Sequence, residues 1–309
     1  EITNVVRSYD VANGAWLAGT SVTQAGVQPE EAESWNVGLI WQSQGFKPDH
    51  DFTLILDYFD IHTMGEIGEI VPHNFLANAI FDPTDEYDLC DHPLINRVEF
   101  NGACQNDFTG ANLNRVTTDI GNGSDQLTSG IDFQANYMFP AVGADWTLNL
   151  NGVKVQELTT SARTLDGFEV TPEDERLGQL NFSSVGFAAP EWRVNASVNY
   201  NRGAHNARLT AFYVSEIEDE RGGVNPVGYI PGTTTPTPQF DKGNTIDSTL
   251  TFDFTYVYDF SDNLRLTGTI NNITDEDPPF VRAELGYDPR MGIDALGRTF
   301  QVGFRYTFE

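Results

Sequence analysis

The residues Gly297, Arg298, Thr299, Phe300, Gln301, Val302, Gly303, Phe304, Arg305, Tyr306, Thr307 and Phe308 decide the fold class. Read with a period of two, Phe300, Val302, Phe304, Tyr306 and Phe308 fall on one side of an extended chain, and Thr299, Gln301, Gly303, Arg305 and Thr307 on the other. That is a strand with one apolar and one wet face. Each face is committed to a different medium, and the apolar one meets either a protein core or lipid.

The same alternation recurs upstream. Nine candidate strands lie near 32–42, 51–61, 127–139, 145–156, 191–200, 206–216, 247–259, 263–273 and 298–308. In one, Trp192, Val194, Ala196, Val198 and Tyr200 oppose Arg193, Asn195, Ser197 and Asn199; in another, Leu250, Phe252, Phe254, Tyr256 and Tyr258 oppose Thr251, Asp253, Thr255, Val257 and Asp259. Glycine at 28 positions and 12% aromatics also favour one large all-β unit over residues 1–309. No stretch approaches the roughly 18 consecutive apolar residues of a membrane helix. Transmembrane strands need only about 10 residues, alternately apolar, so a membrane stays open.

The connections carry further information. Four are short, at 43–50, 140–144, 201–205 and 260–262, and they alternate with four long ones, at 62–126, 157–190, 217–246 and 274–297. An up-and-down antiparallel order puts every short turn at one end and every long loop at the other, the layout of an outer-membrane barrel. A soluble sandwich also alternates. Three features favour lipid over a protein core. Strands of about 11 residues span an apolar band when tilted, whereas globular strands average about 5–6. Aromatics gather at the short-turn end, as Trp41, Phe52, Phe139, Trp146, Tyr200, Phe260 and Phe308, like an interfacial girdle. Carboxylates concentrate in the long loops, at Asp82, Asp85, Glu86, Asp88 and Asp91, at Glu173, Asp174 and Glu175, and at Glu216, Glu218, Asp219 and Glu220.

Nine is an odd count, and bacterial single-chain barrels use even numbers. The chain is therefore expected to be part of a larger barrel, with residues 1–31 the tail of another long loop. A net charge of -28 excludes a nucleic-acid partner, because phosphate binding is built from Lys and Arg patches. Cys90 and Cys104 share one acidic segment. A disulfide in an oxidising compartment is favoured there over a metal ligand set formed with Asp91 and His92. Glu1 is no natural start, so the lack of a signal peptide says nothing about export.

No enzyme signal stands out. His50, His62, His73, His92 and His205 are scattered, and no GxSxG or Walker-type loop occurs. Asp253 and Asp259 read as polar-face residues rather than a glycosidase pair. The acidic loop lacks EF-hand spacing and reads as solvated. No catalytic, cofactor or metal residue is assigned. The polar set Arg193, Asn195, Asn199, Arg208, Arg265, Asn271 and Arg305 is expected to face a lumen. Residues 232–238, rich in Pro and Thr, read as a flexible loop.

These residues resemble a family. Asn271, Asn272, Ile273, Thr274, Asp275 and Glu276 followed by Pro278, then Gly286, Tyr287 and Asp288, and finally Gly297, Arg298, Thr299 and Phe300 ending in Tyr306, Thr307 and Phe308 are similar to the barrel terminus of TonB-dependent outer-membrane receptors. Upstream, Gln28 to Gly38 resembles the family's strand-entry motif, and Asp57, Tyr58, Phe59, Asp60 and Ile61 its following strand. Glu309 departs from the pattern, which ends on the aromatic.

The resemblance implies a transmembrane antiparallel up-and-down barrel of about 22 strands, of which these are the last nine. It also implies an N-terminal plug domain, a TonB box through which the TonB protein couples energy, surrounding outer-membrane lipid and a small-molecule ligand at the extracellular loops. Energy-coupled uptake of a scarce solute follows, with iron chelates, cobalamin and oligosaccharides all compatible. A passive porin-like channel and a soluble secreted carbohydrate-binding sandwich are the alternatives.

Overall fold

The computed structural model describes residues 4–5, 7–10, 15–17, 21–22, 27–47, 49–82, 85–106, 113–180, 189–220, 244–281, 286 and 295–308. Residues 232–238, Tyr287, Asp288 and Glu309 lie outside them. All nine expected strands are present, as β1 (Glu31–Lys47), β2 (His50–Met64), β3 (Gln126–Ala141), β4 (Ala144–Thr160), β5 (Trp192–Arg202), β6 (His205–Val214), β7 (Thr249–Ser261), β8 (Leu264–Asn271) and β9 (Thr299–Tyr306). They pair in sequence order, with the two-residue strand Asp174–Glu175 added beside β4. From β4 to β9 every pairing is antiparallel.

That register resolves the two faces. Leu148, Val198, Leu209, Phe254, Ile270 and Phe300 form one unbroken row across six strands. One residue over, Thr147, Asn199, Arg208, Thr255, Thr269 and Gln301 form the next row. Successive side chains point to opposite faces, so the sheet has an apolar and a polar side. The apolar side is not covered by other elements at its last strand: Phe300, Val302 and Phe304 are 70%, 83% and 79% exposed.

The turns are tighter than the alternation alone suggested, because β3 and β4 run on through Pro140 and Ala141 to leave only Val142 and Gly143 between them. Both turn residues have positive φ, 55° and 72°. Paired left-handed residues give the twist that a two-residue hairpin needs, and glycine accepts that conformation freely. Val142, β-branched and 90% exposed, does so under strain.

The chain divides into two compact units. One contains Trp35–Asp60, Ser129–Glu157 and Arg176–Glu309, and holds most of the nine-strand sheet. Within it Leu180, Val214, Ile217, Ile246 and Val281 form a small buried cluster, where the short strands Gln179–Leu180, Ile217–Asp219 and Asn244–Ile246 pair.

The other unit contains Glu1–Ser34, Ile61–Thr128 and Leu158–Glu175. The sequence marks most of it as loop, yet it is built. A helix, His73–Ile80, starts after Pro72, whose carbonyl accepts the Leu76 N–H. Four short strands, Arg7–Asp10, Ala15–Leu17, Val98–Phe100 and Leu113–Thr118, form a sheet. Val71, Leu76, Ile80, Leu89, Leu94, Val116 and Leu165 are buried together as its core. Residues 1–31, expected as a loop tail, thus contribute strands to this unit.

Candidate functional site

The polar face of the sheet is the surface where chemistry-bearing side chains converge. Counting outward from the Val142–Gly143 turn places Asn136 opposite Asn149, and the Asn136 amide donates to the Asn149 carbonyl at 2.5 Å. Asn149 in turn donates to Ser197 Oγ at 3.3 Å, and the Arg208 guanidinium donates to the same oxygen at 3.2 Å. Ser197 is buried. A ladder of side-chain bonds therefore crosses β3, β4, β5 and β6. Alongside it, Asn195 donates to Asn151 at 3.3 Å.

Of the seven candidates read from the sequence, Arg193, Asn195, Asn199 and Arg208 lie together on the polar side of β5 and β6. Arg265, Asn271 and Arg305 lie apart from them on β8 and β9. Arg265 makes a two-point bond to Asp259, at 2.5 and 3.0 Å, and stands opposite Arg305 in register. Like charges in that position repel, and Asp259 draws Arg265 to its other side. Asn271 donates to Thr299 Oγ1 at 3.1 Å. The candidates read from the sequence did not include Asp57, Asn149 and Asn151, nor Asp132, Gln134 and Asn136, which alternation places on the polar face of their strand opposite Ile131, Phe133 and Tyr137. The signal was available, since each sits on the same parity as known polar positions in its strand.

A depression of about 380 Å³ opens on this face, with Asp57, Asp132, Gln134, Asn151, Arg193 and Asn195 among the residues around it. Gly38 lets the Asp57 carboxylate lie close against β1, where a Cβ would collide with it, and on the opposite, apolar side of the sheet a Cβ on Gly152 would meet the Phe133 ring at 2.7 Å.

On the apolar face, aromatic rings cluster at the turn end. Trp146 packs edge-on against Tyr200 at 5.1 Å, Trp41 against Phe52 at 5.5 Å, and Tyr258 against Phe260 at 4.5 Å. Two histidines extend this belt. His50 bonds the Tyr137 hydroxyl at 2.6 Å, and His205 that of Tyr256 at 2.5 Å.

In the loop-built unit Cys90 and Cys104 are joined in a disulfide, fourteen residues apart. That pairing settles the choice between disulfide and metal ligands. His92, 2% exposed, serves instead as a packed side chain. Its Nδ1 accepts the Leu94 N–H at 3.0 Å, its ring packs edge-on to Phe168 at 4.9 Å, and its Nε2 stands 3.4 Å from Asp85. Burial lowers its pKa below the usual value, against the opposing pull of Asp85. Arg97 bridges separate segments, bonding Asp166 at 2.9 Å through two nitrogens and Asp119 at 2.8 Å. Among the described residues no group of three or more His, Cys, Asp or Glu is arranged to hold a metal ion. No described helix is long and apolar enough to cross a membrane, which says nothing of membrane strands.

Comparison with known proteins bears on this two-faced sheet. Residues 3–273 match the family model described as TonB dependent receptor-like, beta-barrel. No curated protein sequence matches the chain. Among solved structures, the FrpB iron transporter from Neisseria meningitidis is 12% identical, with a TM-score of 0.50, over 92% of this chain and 32% of that one. The siderophore receptor PirA from Acinetobacter baumannii is 14% identical, with a TM-score of 0.48, over 91% and 32%. The ferric enterobactin receptor PfeA from Pseudomonas aeruginosa is 13% identical, with a TM-score of 0.49, over 95% and 33%. The chain thus spans about a third of the length of the solved structures it matches.

Proposed function

Because the chain belongs to the TonB-dependent receptor β-barrel family, we propose that β1–β9 are the C-terminal strands of an outer-membrane barrel of about 22 strands. In this reading the intact protein takes up a scarce solute across the outer membrane, using energy delivered by TonB to a plug domain. The observation that carries it is the pair of adjacent six-strand rows, one wholly apolar and one wholly polar. A sheet with an uncovered aliphatic and aromatic face needs lipid on that side. Its other side, with Arg193, Asn195, Asn199, Arg208, Arg265, Asn271 and Arg305, faces the lumen and the plug.

The turn-end aromatics and the His50–Tyr137 and His205–Tyr256 pairs then sit at the periplasmic interface, where rings with a polar tip are favoured. The Cys90–Cys104 disulfide suits an extracytoplasmic loop. In mechanism, the loops capture the ligand, the lumen wall holds it by exchangeable hydrogen bonds, and movement of the plug admits it.

The test is uptake by cells carrying the full-length receptor, with and without the proton-motive force. Uptake that stops on de-energisation is expected. Uptake that continues undiminished would identify a passive porin.

A further inference from the structure

We propose that the depression between Asp57, Asp132, Gln134, Asn151, Arg193 and Asn195 is a subsite for a neutral, hydroxyl-rich ligand, an oligosaccharide. The proposal rests on the reading of the polar face as the wall of an uptake conduit. It goes further by naming the chemistry of the cargo.

The groups around the depression offer three kinds of hydrogen-bonding capacity. Asp57 and Asp132 are acceptors only, Arg193 is a donor only, and Gln134, Asn151 and Asn195 both donate and accept. A polyanionic chelate satisfies the donors and is repelled by the two carboxylates. A cation satisfies the carboxylates and opposes the guanidinium. A hydroxyl donates and accepts through one atom, so a ligand dense in hydroxyls meets all three kinds of group with one chemistry. The carboxamides retain capacity for this: the Asn195–Asn151 bond uses one of the four hydrogen-bonding positions on each side chain.

The ladder Asn136, Asn149, Ser197 and Arg208 continues the same mixture of donors and acceptors along the wall. Charge points the same way. The chain has a net charge of -28, and a field of that sign disfavours approach of an anionic cargo.

The experiment uses the full-length receptor in detergent, with a panel of neutral oligosaccharides cut from starch, cellulose, xylan and chitin, and ferric citrate as the polyanionic counterpart. At least one oligosaccharide is expected to bind. The double variant Asn151→Leu, Asn195→Leu should bind it at least about tenfold more weakly, the loss expected for removed polar partners, while the barrel keeps its heat-modifiable mobility on gels. Asp57→Asn with Asp132→Asn keeps hydrogen bonding to hydroxyls and should retain most of the binding. Overturning results are binding of ferric citrate with no oligosaccharide bound, or oligosaccharide binding that the Asn151 and Asn195 changes leave untouched. Uptake with and without the proton-motive force separates the two readings. Energy-dependent uptake of a ferric chelate alone would sink the saccharide subsite and leave the receptor; energy-independent saccharide uptake would do the reverse.

Discussion

The same residue types meet opposite fates in the two regions of this molecule. In the loop-built unit Val71, Leu76 and Leu94 are 0% exposed, gathered around a short helix and short strands as in any water-soluble core. In β9 Val302 is 83% exposed. The first region draws its stability from excluding water within itself. The second places its apolar atoms on the outside, so its stability depends on what surrounds it. One chain therefore contains a part that carries its own solvent shelter and a part that borrows one.

The largest expected effect tests the sheltered part. Leu76→Ala should cost about 2–5 kcal/mol through the cavity it leaves, and the cost should be local. Hydrogen exchange in residues 61–128 is expected to quicken while β5 and β6 stay protected. Equal loss in both regions would show one cooperative unit and end the contrast.

Next comes the borrowed shelter. Phe254→Arg, on the apolar row, should cost about 2–4 kcal/mol near the bilayer midplane. Thr255→Arg, one residue along on the polar row, should cost a small fraction of that. Unfolding of the full-length receptor in lipid vesicles measures both, and equal costs would mean the two faces have been assigned to the wrong media.

Acid should separate the regions further. His92 is buried and its pKa is lowered, so the unfolded segment takes up a proton more readily than the folded one. Stability is full above the unfolded value of about 6.5 and falls as pH drops below it. Protonating Nδ1 also removes the acceptor of the Leu94 N–H. Protease sensitivity of residues 85–106 should therefore rise on acidification, with the sheet unaffected, and His92→Gln should flatten the pH dependence.

The smallest effect lies at the turn end. Val142→Asn should stabilise by about 1 kcal/mol, since asparagine tolerates the left-handed conformation that a β-branched residue resists. The same vesicle unfolding assay reads it, and a loss of stability would show that Val142 has a compensating contact.

The sheet was legible because period-two alternation over 8 or more residues is a strong signal, and Leu148, Val198 and Leu209 announce their face without help from neighbours. The polar candidates followed from parity, but the depression did not, because Asp57 and Arg193 come together only through pairing across several strands. The loop-built core was illegible for a different reason. Its helix has eight residues and its strands three to six, too short for periodicity to rise above noise. Pro72 followed by Phe75, Leu76 and Ile80 was the one local hint of a helix start.

The bridge made by Arg97 has a consequence for the order in which the molecule is made. Arg97 and Asp119 are separated from Asp166 by the whole β3–β4 hairpin, and the core they border includes Leu165. Closing so wide a sequence gap is slow compared with local contacts, and it requires that hairpin to have been synthesised and paired. Cys90 and Cys104 need only each other. The covalent link can therefore be installed before the bridge from Arg97 to Asp166 closes, while its surroundings are still open to an oxidant.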